Sequence, residues 1–69
     1  MSDQNNNIIR LAYIDAAEKT AVLPKKIQDE KQEIIKKLEE VKMLVVQDGR
    51  FTFADEESDS LYKESFEDF

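Results

Sequence analysis

Gly49 is the only glycine in the chain and Pro24 the only proline, so the sequence offers few places to turn. Gly49 follows Asp48, and the pair stands between "LVVQ" and "RFTF". An Asp-Gly pair between apolar runs is the strongest short-range hairpin signal, because a two-residue type I′ turn needs positive φ at both central residues. With 48 and 49 as the loop, Gln47 opposes Arg50, Val46 opposes Phe51, Val45 opposes Thr52 and Leu44 opposes Phe53. Side chains alternate along a strand, so Leu44, Val46, Phe51 and Phe53 share one face. Met43, Val45, Gln47, Arg50, Thr52 and Ala54 share the other. The first face is apolar and the second mixed, which sets the register and predicts a sheet covered on one side. A lone two-stranded hairpin is marginal in water, so that face must find cover.

The cover is predicted upstream. "IIRLAYIDAA" holds good helix formers with no breaker, and Asn5, Asn6 or Asn7 can supply the N-cap oxygen that an orphan amide of the first turn needs. Over residues 8–17 only Arg10 and Asp15 interrupt the apolar surface, so this helix, expected over 6–20, should be buried on more than one side. "TAVLP" ends it, since Pro24 disfavours the helical conformation at Leu23 and suits the first position of the next helix. That second helix is expected over 25–42, with Ile27, Ile34, Leu38, Val41 and Val45 in a narrow, coiled-coil-like stripe that includes Lys31. Its other face is a solvated mixture of lysines and acids, with Glu33 four residues before Lys37.

Beyond the hairpin, expected over 43–54, the character of the chain changes. Residues 55–69 carry seven acids against Lys63 alone, a balance of −6 that equals the net charge of the whole protein. Residues 1–54 are therefore close to neutral and form the expected folded unit, an α+β arrangement of an antiparallel helix pair followed by a β-hairpin. Residues 55–69 are expected as an acidic C-terminal tail, disordered when free and able to turn helical on contact. Tyr62, Phe66 and Phe69 recur in it at helical spacing, beside Leu61 and Ser65. The alternative is that these rings fold back over the apolar face of the hairpin.

Several chemistries are disfavoured by what the sequence lacks. With no cysteine and no histidine, disulfide staples, the usual zinc clusters, catalytic triads and thiol nucleophiles all fall away. The one glycine serves the turn, so no glycine-rich phosphate loop is expected. Asp55, Glu57 and Asp59 match the first three odd positions of a calcium loop, but Ser60 stands at the turn glycine and Phe66 at the bidentate glutamate. No enzyme activity, cofactor or dedicated metal site is expected. The opening "MSDQNNN" has neither the basic nor the apolar region of a secretory signal, and no apolar run approaches membrane-spanning length, so a cytoplasmic protein is expected. At 69 residues a single core supplies about 3–5 kcal/mol, and a homo-oligomer formed through the first helix is one way to add to it.

Two short stretches resemble known families. "IIKKLEEVKMLVVQDGRFTF" resembles the latter half of a winged-helix domain, in which a helix leads into a hairpin wing. That resemblance implies a small dimeric DNA-binding regulator, with Lys36, Lys37 and Arg50 as its contacts. Asp29, Glu30 and Glu33 would then face phosphates, and direct nucleic-acid binding is not expected on that ground. "SFEDF" is similar to the acidic tails of single-stranded-DNA-binding proteins. That resemblance implies an anchor at Phe69, with Glu67 and Asp68 as steering charges for a basic-rimmed pocket on a partner.

The charge pattern favours attraction to a basic protein surface. The leading expectation is a non-enzymatic protein-binding regulator or inhibitor, a small phage-type accessory protein, whose partner is a larger protein that handles nucleic acid. The expected partner-binding residues are Asp55, Glu56, Glu57, Asp59, Leu61, Tyr62, Phe66, Glu67, Asp68 and Phe69. A third possibility for the chain is an assembly chaperone or scaffold.

Overall fold

The computed structural model describes residues 3–68. Helix α1 (Asp3–Glu18) is followed by α2 (Lys25–Glu40), then by strands β1 (Leu44–Gln47) and β2 (Arg50–Phe53), and then by a third helix, α3 (Glu56–Asp68). The architecture is α+β: helix, helix, two-stranded antiparallel hairpin, helix.

The hairpin forms in the predicted register, pairing Leu44 with Phe53, Val45 with Thr52, Val46 with Phe51 and Gln47 with Arg50. Asp48 and Gly49 take φ of 53° and 76°, the left-handed conformations that a type I′ turn requires. The pairing extends one step beyond the strands, where the Ala54 amide donates to the Met43 carbonyl at 2.9 Å.

Helix α2 ends in a Schellman motif. The Met43 amide donates to the Leu38 carbonyl and the Lys42 amide to the Glu39 carbonyl, each at 3.0 Å, closing two carbonyls that a helix end leaves open. The left-handed residue this motif needs is Lys42, with φ of 63°, where glycine is the usual occupant. At the other end Pro24 is the N-cap, one residue outside the predicted position, and its carbonyl accepts from the Ile27 and Gln28 amides.

Three element boundaries depart from expectation. Helix α1 begins at Asp3, so Asn5, Asn6 and Asn7 lie inside it rather than capping it; nothing in "DQNNN" breaks a helix. It also stops earlier, as Lys19 and Thr20 close tight turns onto the Ala16 and Ala17 carbonyls at 3.2 and 3.1 Å. Val41 and Val45 do not continue the α2 stripe. Both are exposed, Val45 at 51%, because the chain leaves the helix at Val41 and the strand turns Val45 to the uncovered face.

The core is Ile8, Leu11 and Ile14 of α1, Ile34 and Leu38 of α2, and Leu44 of β1. Leu23, Ile27, Ile35, Met43, Phe51, Phe53, Leu61 and Tyr62 pack around it, partly buried. Leu44, Phe51 and Phe53 thus face the helices as predicted. Val46, on the same face, is exposed, whereas its partner Phe51 is partly buried.

The segment expected as an acidic tail is α3. Its inward positions are Ser58, Leu61, Tyr62 and Ser65, spaced by three, one and three residues, one stripe of an α-helix. Ser58 and Ser65 are buried, as are Ala12 and Ala16 of α1. Small side chains on both helices let the two backbones approach closely, and α1 packs more extensively on α3 than on α2. Most of the apolar surface of α1, Tyr13 apart, is therefore covered within one chain, by α2 and α3, with Leu44 of β1 joining the same core. Among the described residues no helix is long and apolar enough to cross a membrane.

Candidate functional site

Two kinds of residue stand on and beside β2 and α3, with Glu57 and Glu64 on the flank of α3 away from the rings. The first are aromatic rings. Tyr62 stands edge-on to Phe51, with centroids 5.8 Å apart and planes at 88°, and lies 5.2 Å from Phe53 at 45°. Phe51 and Phe53 meet edge to face at 5.9 Å, and Phe66 continues the strip 6.0 Å beyond Tyr62. This edge-to-face geometry lets the positive rim of one ring meet the negative face of the next. The arrangement follows from two periodicities: Phe51 and Phe53 are two apart on a strand, and Tyr62 and Phe66 are four apart on a helix.

The second kind is acidic. Asp55, Glu56, Glu57, Glu64, Glu67 and Asp68 are exposed, and Asp59 is half-buried. The first-turn acids Glu56, Glu57 and Asp59 sit where the helix dipole favours negative charge. Lys63 is the only base of the segment and pairs with Asp59 at 3.0 Å, one turn away.

Tyr62 is held by a polar joint that ties all three helices. Its hydroxyl donates to Asp15 Oδ2 of α1. The other oxygen of Asp15 lies 3.0 Å from Lys31 Nζ of α2, which also reaches Glu18 Oε1 at 2.7 Å. Partial burial works against the charge on Lys31, but the hydrogen bonds with Glu18 and Asp15 outweigh it and hold the ammonium above its ordinary range. Burial, the hydrogen bond to Asp15 and the nearby carboxylate charges all push the Tyr62 hydroxyl well above its usual pKa. It therefore stays protonated and donating through the physiological range. A separate surface pair, Arg10 with Glu30, is bidentate at 2.8 and 3.1 Å.

Two open grooves flank the ring strip. One, of about 450 Å³, lies between α1 and α3 and is lined by Asp15, Lys19, Tyr62, Lys63, Phe66 and Glu67. Lys19 Nζ sits 4.8 Å from the centre of the Phe66 ring in it, a cation–π contact. The other, of about 390 Å³, lies between β2 and α3. Phe51, Phe53 and Tyr62 line it together with Asp55, Glu56 and Asp59.

The predicted partner-binding residues thus divide. Glu56, Glu57, Glu67 and Asp68 are presented outward on α3, and Asp55 just before it. Leu61 and Tyr62 are packed against the core, and Phe66 is half-buried beneath Lys19. None of these three is a free anchor on a tether. Phe69 lies outside the described residues. "SFED" forms the last turn of α3 with Ser65 buried at 6%, so this stretch is not the extended tail its resemblance implies. The alternative reading, that the rings of this segment fold back over the hairpin's apolar face, holds for Tyr62, which meets Phe51 and Phe53, although those two rings are not among the predicted partner-binding residues. Among the described residues no cluster of three or more acidic side chains is arranged to hold a metal ion.

No protein-family model matches this chain, nor does any curated protein or solved structure. The residues alone carry the functional argument.

Proposed function

We propose that the protein is a non-enzymatic binding module that presents α3 as an acidic face to a basic surface on a larger, nucleic-acid-handling protein, regulating it by occupying that surface. The observation that supports this reading is the segregation of charge. All of the net −6 is concentrated in a segment whose acids, Asp59 apart, stand exposed on or beside one fixed helix. Fixed charges of one sign raise encounter rates with an opposite surface and discourage like-charged partners. Because α3 is docked rather than free, little ordering entropy is lost on binding. Among the described residues the exposed carboxylates line open grooves, whereas general acid–base work favours a shielded position.

The test is affinity capture from native lysate with the intact protein and with a Glu56→Gln, Glu57→Gln, Glu64→Gln, Glu67→Gln variant. Far-ultraviolet circular dichroism confirms that both are folded. Basic proteins captured by the first and released by moderate salt should be missing from the second. An identical set of captured proteins, retained at high salt, would refute the reading.

A further inference from the structure

We infer that the groove between β2 and α3 takes an arginine side chain from a basic segment of the partner protein, an inference that rests on the acidic-face reading and gives it a point of contact. The two grooves beside the ring strip differ in what they lack. The α1–α3 groove is balanced, with Asp15 and Glu67 against Lys19 and Lys63. Its outer ring, Phe66, already carries a cation of this chain, the Lys19 ammonium. The β2–α3 groove has the same ingredients, but among the described residues no cation sits over its rings. Phe51, Phe53 and Tyr62 provide ring surface, while Asp55, Glu56 and Asp59 outnumber Lys63, which is committed to Asp59.

An aromatic floor with a carboxylate rim selects a cation with flat apolar faces. A guanidinium stacks on a ring while its edge donates two parallel hydrogen bonds to one carboxylate. An ammonium is a compact, strongly hydrated point charge and gains less from the rings. Asp55 and Glu56 are exposed, form no ion pair among the described residues, and stand next to each other in the lining of the groove, so either can meet the guanidinium edge. The volume, about 390 Å³, is at the small end of the range for small-molecule pockets. It suits one long side chain with part of its backbone, rather than a whole domain.

The probes are two fluorescein-labelled dodecapeptides of equal charge, alternating serine with arginine in one and serine with lysine in the other. Binding is measured by fluorescence anisotropy at low salt, and contacts are mapped by amide chemical shifts of the intact protein. The arginine peptide should bind about fivefold tighter, the margin that stacking on an exposed ring supplies. Its shifts should centre on residues 51–56 and 59. Phe51→Leu should remove most of that preference and leave lysine-peptide affinity nearly unchanged. Asp55→Asn with Glu56→Gln should weaken the arginine peptide more than the lysine peptide, and that pair serves should Phe51→Leu fail to fold. Equal affinities, with shifts spread over Glu57, Glu64 and Glu67, would overturn the groove inference and leave the acidic face standing. Failure of both peptides to bind would also overturn it, while the capture experiment decides the broader reading independently.

Discussion

Replacing Ser65 with leucine should destabilise the fold by about 2 kcal/mol, although the change adds apolar surface to a helix. Ser65 is 6% exposed and lies on the stripe of α3 that faces the core and α1. The buried alanines of α1 show how little side-chain volume that contact accommodates. Added methylenes in a filled interface force backbone shifts that cost about 1–3 kcal/mol. Against a stability of about 4 kcal/mol for a core of this size, losing about 2 kcal/mol raises the unfolded population from about one molecule in a thousand to about one in thirty. Urea unfolding followed at 222 nm reads this directly. With a slope of about 1 kcal/mol/M, the midpoint should fall by about 2 M. Glu64→Leu, one residue away on the exposed side, is the control and should stay within about 0.5 kcal/mol of the parent. If the two leucine variants unfold at the same urea concentration, α3 does not dock through Ser65 and the close α1–α3 contact is refuted.

Lys42→Gly should stabilise the protein by about 0.5–1 kcal/mol, since it removes a side chain from a left-handed helix terminus; a lower urea midpoint would contradict the Schellman geometry. Gly49→Ala should cost about 1–2 kcal/mol for the opposite reason. No atom lies within 4 Å of the added methyl position, so the loss is conformational alone, and hairpin amide shifts should keep their pattern. Tyr62→Phe should flatten the alkaline limb of stability. The native hydroxyl holds its proton above the unfolded pKa of about 10, so the folded state binds more protons and stability falls as pH rises past that value, by up to about 1.4 kcal/mol per pH unit. Lys31, also raised, adds to the same limb, so the variant should keep a shallower decline rather than none. Sedimentation equilibrium should return the monomer mass of 8.1 kDa, because α1 finds its cover within the chain; a stable dimer would show that cover to be insufficient.

The elements legible from sequence are those decided by short-range chemistry. Asp48-Gly49 dictates its turn whatever surrounds it, and alternation then fixes each cross-strand pair down to Leu44 and Phe53. The stripe through Ile27, Ile34 and Leu38 likewise belongs to one helix alone. Lys31 was legible as an interruption of that stripe but not as its resolution, because its partners Asp15 and Glu18 lie on another helix and their approach depends on how the two helices meet. The segment 56–68 was hardest to read. Its composition is that of a solvated chain, and two of its inward positions are serines, which carry no apolar signal. What orders it is the packing of Leu61 and Tyr62 on the core, the Tyr62–Asp15 hydrogen bond and the small residues buried on α3 and α1, and these come together only once both helices are placed. The acidic half of the site was therefore visible in the sequence. Its aromatic half was legible only as an alternative, in which the rings of the last segment fold over the hairpin's apolar face and bring Tyr62 to Phe51 and Phe53.

Asp15 joins Tyr62 across 47 positions of sequence, and that span has a consequence for biosynthesis. Contacts so far apart close a large loop and form late. During translation the side of α1 that α3 covers lacks that cover until residues 56–68 have been made. Arrest anywhere before that helix would leave a sticky nascent species, which gives proteases and chaperones a ready mark for incomplete molecules.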